Sequence, residues 1–155
     1  MNTGARSAEA ARLAPPEATV RVMIADDNLN HVTTTALLLG AEGYDVRGLP
    51  SGITLLEQFE AFRPHVVILD IEMPALTGYD VARALRKNAK ATDVLLIAVT
   101  AHNTQTDRFL SRLAGFDYHL AKPLDPNAVV ALVRDYLSGK RPPRVHVIQD
   151  RDPAA

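Results

Sequence analysis

Acidic side chains stand at two points in the chain where an apolar run ends. The pair Asp26-Asp27 follows residues 20–25, and Asp70 follows residues 66–69. If these runs are neighbouring strands, three carboxylates meet at one edge and repel one another unless a cation neutralises them. Mg²⁺ is a hard cation that prefers oxygen ligands and keeps some of its waters at such sites. The pattern predicts a magnesium site at these aspartates.

Two further polar residues end later apolar runs. Thr100 follows residues 94–99, and Lys122 follows residues 117–121. A hydroxyl donor and an ammonium beside a metal are the groups with which phosphoryl transfer neutralises charge on phosphoryl oxygens. Asp70 directly follows a buried strand, so its carboxylate is held firmly and can act as a nucleophile. Taken singly, each residue has a plainer interpretation as a solvated acid, a helix cap or a surface lysine.

The elements that would position these residues alternate along the chain between apolar runs and segments of helical period. Strands are predicted at 20–25, 44–47, 66–69, 94–99 and 117–121, and helices at 30–42, 51–62, 78–88, 104–114 and 125–137. Capping signals accompany the helices: Gly43 after the first, Ser51 before the second and Asp125-Pro126 before the fifth. The alternation predicts an α/β fold, a doubly wound parallel sheet with ligands at the carboxyl ends of its strands.

The length of 155 residues suits one domain. We expect the folded domain to span residues 20–138. Residues 1–19 are predicted to form a flexible arm, and residues 139–155 a tail with a possible short strand at 145–148. At this length, we expect the tail to carry no output domain.

Charge and cysteine content narrow the function classes. The chain has 17 Lys and Arg against 18 Asp and Glu, so its net charge of -1 gives no general attraction for nucleic acid or anionic lipid. No cysteine is present, which excludes thiolate zinc sites and cysteine nucleophiles. The histidines His31, His65 and His146 lack the spacing of zinc ligands and are assigned structural roles. No spanning or signal segment is recognised, so we expect a cytoplasmic protein with no direct nucleic-acid or membrane partner.

The chemistry-bearing residues fall into four motifs in a fixed order along the chain. These are Asp26-Asp27, Asp70-Ile71-Glu72-Met73-Pro74 with Gly78, Thr100-Ala101 and Lys122-Pro123. Their order and spacing resemble the receiver domain of two-component response regulators over residues 20–138. Residues 26–30 and 115–123 are most similar to receivers of hybrid histidine kinases and phosphorelays. The resemblance implies a flavodoxin-like (β/α)5 fold with five strands in the order 2-1-3-4-5.

The resemblance also implies a role for each matching residue. Asp70 would be the phosphoacceptor, and Thr100 and Lys122 would hold the phosphoryl oxygens. Mg²⁺ would be arranged, directly or through water, by the side chains of Asp26, Asp27 and Asp70 and the backbone carbonyl of Glu72. Pro123 predicts a tight turn, with a cis bond as one way to aim the lysine into the site.

Near the lysine, the chain departs from the family pattern. His119 stands where the family often has a Tyr or Phe that acts with Thr100 as a rotamer switch. Tyr118 is one residue out of register, and on a strand it points to the opposite face. Glu72 and His102 are expected to flank the phosphoryl group, at positions that tune its lifetime in the family. For His119, the alternative is a simple packing role. For Glu72 and His102, the alternative is that they are exposed loop residues with no effect on that lifetime.

The leading hypothesis is a single-domain response regulator that accepts a phosphoryl group from a histidine kinase or histidine phosphotransfer protein. It would switch the face made by the fourth helix, fifth strand and fifth helix to bind a protein target, as a monomer or weak homodimer. It would modify itself and would not turn over a substrate.

Three alternatives stay open. A binding module of the same fold could use that face without phosphorylation. A haloacid-dehalogenase-type phosphatase would want a second Asp where Glu72 stands, and a cap domain. A flavin or dinucleotide binder would want a glycine-rich loop after the first strand instead of an acid pair.

Overall fold

A computed structural model describes residues 19–139 of the chain, and these residues form five strand–helix units. The strands are β1 (Arg21–Ala25), β2 (Asp45–Leu49), β3 (Val66–Asp70), β4 (Leu95–Thr100) and β5 (Tyr118–Ala121). The helices are α1 (Leu29–Ala41), α2 (Gly52–Phe62), α3 (Gly78–Lys87), α4 (Gln105–Ala114) and α5 (Pro126–Leu137). Apart from residues 19 and 139, the predicted arm, the tail and the strand at 145–148 lie outside the described residues.

The five strands form one parallel sheet in the order β2-β1-β3-β4-β5. This order confirms the doubly wound, flavodoxin-like α/β fold. Every residue of β3 and β4 is buried, as expected for parallel strands covered on both faces. The carboxyl ends of β1, β3, β4 and β5 therefore bring the predicted site residues to one edge of the sheet. Among the described residues, no helix is both long and apolar enough to cross a membrane.

Alternate residues of each strand face two separate apolar cores. One core lies between the sheet and helices α2, α3 and α4, and includes Met23 and Leu69. The other lies beneath α1 and α5, and includes Ile24 and Ile68. Continuing the alternation places Asp70 on the side of α1 and α5.

Local capping chemistry sets the ends of the helices, and each of the five helices differs from its predicted range by one residue at one end or both. Helices α3 and α4 each begin with a capping box, Thr77 with Asp80 and Thr104 with Asp107. The side chain of Asn28 accepts hydrogen bonds from the first turn of α1, so that helix begins at Leu29.

Strand β2 runs two residues further than predicted, to Leu49. Its pairing with β1 continues past Gly48, which is opposite Ile24. A Cβ at Gly48 would collide with the side chain of Val32 on α1. The absence of a side chain at Gly48 thus allows α1 to pack closely over β2. The pairing of β2 with β1 outweighs the weak strand propensity of glycine.

A buried ion pair fastens α3 to the amino-terminal end of β4 and β5. Nη2 of Arg86 lies 2.9 Å from Oδ2 of Asp117, and both side chains are almost fully buried. The same guanidinium donates to the carbonyls of Ala91, Val94 and Gly115, and Oδ2 of Asp117 also accepts from the backbone N–H of Leu96. These bonds satisfy polar backbone groups that the loops would otherwise bury without partners.

We predict that Arg86→Met destabilises the fold by about 3–5 kcal/mol, because it leaves the Asp117 carboxylate buried without its counter-charge. Arg83→Met is the matched control. Arg83 pairs with Asp80 at the surface of the same helix, and its loss should cost less than ~1 kcal/mol. Urea unfolding followed by circular dichroism measures both, and equal losses for the two variants would contradict the assignment.

Candidate functional site

Three carboxylates converge at the carboxyl edge of the sheet. Asp70 ends β3 and Asp26 directly follows the neighbouring strand β1, so their side chains lie side by side. One carboxylate oxygen from each of Asp26, Asp27 and Asp70 lies within 4.8 Å of the other two. Asp26 and Asp70 are buried, whereas Asp27 is exposed. The predicted acid cluster is therefore brought together.

Lys122 supplies positive charge to this cluster. Its Nζ lies 3.4 Å from Oδ2 of Asp26 and 3.3 Å from Oδ2 of Asp70. The backbone N–H of Lys122 donates to the carbonyl of Thr100 at 2.8 Å, which fixes the segment after β5 against the end of β4. The peptide bond between Lys122 and Pro123 is cis. One ammonium thus bridges the two buried carboxylates.

Burial and like charge together shift the titration of the acid that ends β3. Burial is the largest cause, and repulsion from Asp26 adds to it, so that the pKa of Asp70 is raised to about 6 although Lys122 opposes the shift. Burial alone would lower the pKa of Lys122, but the carboxylates of Asp70 and Asp26 outweigh it and raise that pKa. Carboxylate repulsion was expected from the sequence, but desolvation is the stronger effect.

The donor set fits a hard divalent cation. Oxygens that share an octahedral Mg²⁺ with bonds of about 2.1 Å lie roughly 3–4 Å apart. The three aspartate oxygens lie within 4.8 Å of one another, so small side-chain rotations would bring them to such a distance. Three carboxylates lie close together with one ammonium beside them, and a divalent cation would neutralise the remaining negative charge.

The loop after β3 holds the rim of the site. Oδ1 of Asp70 accepts a hydrogen bond of 3.2 Å from the backbone N–H of Glu72. A Cβ at Gly78 would lie 2.6 Å from the carbonyl oxygen of Asp70, so only glycine lets the start of α3 pack this closely against the strand end. The motif Gly78 therefore has a steric role in shaping the loop.

Glu72 and His102 contact each other across the rim. Nε2 of His102 lies 2.6 Å from Oε1 of Glu72, and both side chains are exposed. The backbone N–H of His102 donates to Oγ1 of Thr100 at 3.0 Å, while the Thr100 side chain is buried. The structure places Thr100 at the end of β4, next to the strand that carries Asp70.

His119 lies in β5 opposite Ala98, two residues before Thr100 on the adjacent strand. By strand alternation, His119 and Thr100 face the same side of the sheet, and Tyr118 faces the other core. The ring of His119 is buried beneath α4, where Nδ1 lies 2.8 Å from Oγ of Ser111. The ring of His119 therefore already faces inward, beneath α4.

Sequence reasoning missed two neighbours of these residues. His31, assigned a structural role, lies on the first turn of α1 with Nδ1 3.5 Å from Oδ2 of Asp26. Its position four residues after Asp27 was the available signal, because the turn after β1 returns the start of α1 to the strand end. Ser111 carried no signal, since its contact with His119 depends on how α4 packs over β5.

This fold and this arrangement of acids and lysine agree with comparisons to known proteins. The response regulator receiver domain family matches residues 22–134. The chain belongs to this family.

Two curated relatives illustrate the match. DNA-binding response regulator MtrA of Mycolicibacterium paratuberculosis is 31% identical over 114 residues, which are 74% of this chain and 49% of that protein. Probable transcriptional regulator ycf27 of Galdieria sulphuraria is 32% identical over 114 residues, covering 74% of this chain and 44% of the relative. The chain spans about half the length of the curated relatives it matches.

Two solved structures share the fold. A putative response regulator from Chloroflexus aurantiacus has a TM-score of 0.72 at 27% identity, covering 77% of this chain and 98% of that one. Chemotaxis protein CheY4 of Vibrio cholerae has a TM-score of 0.72 at 21% identity, covering 76% of this chain and 98% of that one. At the lower identity, the likeness concerns the fold alone.

We predict that Asp70→Asn stabilises the metal-free protein at neutral pH. The folded pKa of Asp70, about 6, lies above its ordinary value of 3.8, so the folded state holds the proton more tightly than the unfolded state. Wild-type stability should therefore fall as the pH rises between these values, and the variant should gain on the order of 1–2 kcal/mol above them.

Urea unfolding in EDTA from pH 3.5 to 8 tests this expectation. Asp45→Asn, an exposed acid in β2, is the matched control and should change stability by less than ~0.5 kcal/mol throughout. An Asp70→Asn variant less stable than wild type at pH 7 would contradict the desolvation argument.

Proposed function

We propose that this receiver domain accepts a phosphoryl group from a phosphohistidine onto Asp70 and uses the modification as a switch. One observation carries the proposal: the buried Asp70 carboxylate ends a fully buried strand beside the Asp26 carboxylate, and the Lys122 ammonium contacts both carboxylates. A rigidly held nucleophile with a cation beside it and acids for a metal is what phosphoryl transfer to a carboxylate needs.

In the proposed reaction, an oxygen of the ionised Asp70 carboxylate attacks the phosphorus of the donor. The new O–P bond forms as the N–P bond of the phosphohistidine breaks, and the electron pair of that bond returns to the imidazole of the donor. Lys122 and Thr100 would stabilise the phosphoryl oxygens with an ammonium and a hydroxyl. Mg²⁺, held by Asp26, Asp27 and Asp70 and by the carbonyl of Glu72, would supply further positive charge.

Water removes the phosphoryl group later, so each cycle modifies the protein itself. Glu72 and His102, paired across the rim at 2.6 Å, would flank the phosphoryl group and tune how long it lasts. A haloacid-dehalogenase-type phosphatase would need an aspartate as its second acid–base group, and Glu72 occupies that position.

For the output, we propose that phosphorylation draws Thr100 toward the phosphoryl group and alters the contact of His119 with α4. The face formed by α4, β5 and α5 would then bind a protein target. The named function of the MtrA relatives is DNA binding, and the matched region is about half of those proteins. Three statements about this chain stay predictions. It makes no direct contact with nucleic acid, it acts as a single domain of residues 20–138, and it lies in the cytoplasm.

Three predictions test the proposed function, and the first concerns the residue that is modified. Incubation with Mg²⁺ and a small acyl phosphate, or with a phosphorylated kinase, should add one hydroxylamine-labile phosphoryl group. Asp70→Asn should abolish the adduct, because an amide is not a nucleophile here, whereas Asp45→Asn should be labelled as wild type. Intact-protein mass spectrometry and peptide mapping measure this. Labelling of the Asp70→Asn variant at another residue, or a wild-type protein that gains no phosphoryl group, would refute the assignment.

The second prediction concerns the metal. Asp26→Asn combined with Asp27→Asn should weaken Mg²⁺ binding by at least about tenfold, or ~1.4 kcal/mol. The apo fold should become no less stable, because repulsion on Asp70 is relieved. Isothermal titration with the pair Asp45→Asn and Asp93→Asn as control decides the question. Unchanged Mg²⁺ affinity would refute the site, and marked unfolding would favour a structural role for the two acids.

The third prediction concerns the switch. His119→Ala and Thr100→Ala should both remove the phosphorylation-dependent amide shifts in residues 104–138, and His119→Ala should still be labelled at Asp70. Tyr118→Phe, on the opposite face of β5, is the control and should keep the shifts. Full shifts in His119→Ala, or shifts confined in wild type to the loops of the site, would eliminate this mechanism.

A further inference from the structure

A groove of about 320 Å³ lies between the carboxyl-terminal ends of α3 and α4. Of the described residues that line it, every charged one is basic: Arg83, Arg86 and Lys87 on α3 and Arg112 on α4. Helix α4 also contributes Leu113, whose side chain is 65% exposed. The groove therefore combines positive charge with an apolar contact at the surface.

The floor of the groove is formed where the side chain of Arg86 packs against the end of α4. A Cβ at Gly115 would lie 2.6 Å from Cγ of Arg86, so only glycine lets the two helix ends approach this closely. The guanidinium of Arg86 is neutralised by Asp117 below the groove. Arg86 therefore closes the groove, and the charge available to a ligand comes from the other three cations.

Those three cations are exposed on the walls of the groove. Arg83 pairs with Asp80 on its own helix, at the surface, where water weakens the pair. Lys87 and Arg112 have no acidic partner among residues 19–139. Because the whole chain has a net charge of -1, this excess of positive charge is a local property of the groove.

Stabilisation of helix ends does not by itself explain these cations. Basic residues in a last turn offset the negative end of the helix dipole, and Lys87 and Arg112 do stand in the last turns of α3 and α4. Helices α1 and α2 of the same sheet carry no basic residue in their last turns. The fold thus forms helices without this device, and the cations cluster where two helix ends enclose a groove.

We propose that this groove binds a short acidic segment of a partner protein, in which an apolar side chain stands between carboxylates. The carboxylates would pair with Lys87 and Arg112, and the apolar side chain would rest on Leu113 and on the aliphatic stems of the two cations. A concave site accepts a protruding segment, whereas a flat bilayer reaches only the groups that stand out from the surface.

This site is separate from the acid cluster. Helix α3 begins at Gly78, against the carbonyl of Asp70, and ends at Lys87. Nine residues of helix separate the two ends by roughly 13 Å. The proposal therefore does not depend on phosphorylation of Asp70.

Three model peptides with blocked ends separate the contribution of charge from that of the apolar side chain. The probe is Glu-Glu-Leu-Glu-Glu, and Gln-Gln-Leu-Gln-Gln and Glu-Glu-Ser-Glu-Glu are its controls. Titration of the ¹⁵N-labelled full-length chain in EDTA should give saturable amide shifts centred on Lys87, Arg112, Leu113 and Gly115. Each control peptide should bind about three- to tenfold more weakly than the probe, because it loses the ion pairs or the apolar contact.

Variants of the groove complete the test. Lys87→Gln combined with Arg112→Gln should weaken binding of the probe about three- to tenfold and remove its preference over the glutamine peptide. Lys90→Gln combined with Arg134→Gln removes the same charge from exposed residues outside the groove and should bind as wild type does. Leu113→Ser should weaken binding and remove the preference over the serine peptide, whereas Leu137→Ser, an exposed leucine of α5, should not.

Absence of saturable shifts in wild type, or shifts centred on another surface, would overturn the proposal. Equal weakening by the two pairs of charge variants would also overturn it, because it would show a general effect of net charge. Wild type that ignores the peptides, but binds phosphatidylserine vesicles through Lys87 and Arg112, would assign the groove to a membrane surface and overturn the acidic segment. Circular dichroism of each variant checks that the fold is kept, and the three peptides on wild type decide the outcome if a variant does not fold.

Discussion

The close approach of two buried carboxylates at the ends of adjacent strands is the constraint around which this molecule is organised. Asp26 and Asp70 are brought together by the pairing of β1 with β3, and like charges in a desolvated place are unfavourable. The ammonium of Lys122 contacts both. The ends of β1, β3 and β5 are therefore linked by charge as well as by the sheet, and the energetic cost that remains is visible in the raised pKa of Asp70.

The opposite end of the sheet supplies the rigidity that this strained arrangement needs. Arg86 and Asp117 tie α3 to the amino-terminal ends of β4 and β5 through one ion pair and several backbone hydrogen bonds. Between the two ends, β3 and β4 are buried along their whole length. A close-packed interior transmits force without yielding, so a change in charge at Asp70 is relieved most easily by movement of the loops and helices at the rim.

Helix α4 contacts both β5 and α3 through polar groups. It is joined to β5 by the contact of Ser111 with His119, and to α3 by a hydrogen bond from the hydroxyl of Tyr79 to the carbonyl of Asp107. Its outer surface exposes Phe109 and Leu113. A helix held by a few polar contacts on its inner face can shift between arrangements at modest cost, which is the property that a switch requires.

The sequence by itself determined the fold class, the five strand–helix units and the residues that end the strands. These features follow from local periodicity and from the rule that carboxyl ends of parallel strands share an edge. It also placed His119 and Tyr118 on opposite faces, because strand alternation is local.

Only the tertiary structure decided which groups touch: Lys122 with two carboxylates, His119 with Ser111, and Arg86 with Asp117. Burial is likewise a property of the assembled layers, and for that reason desolvation proved a larger influence on Asp70 than the neighbouring charges visible in the sequence. Such contacts join residues on different strands and helices, and the packing of helices on the sheet, which no local pattern encodes, sets their distances.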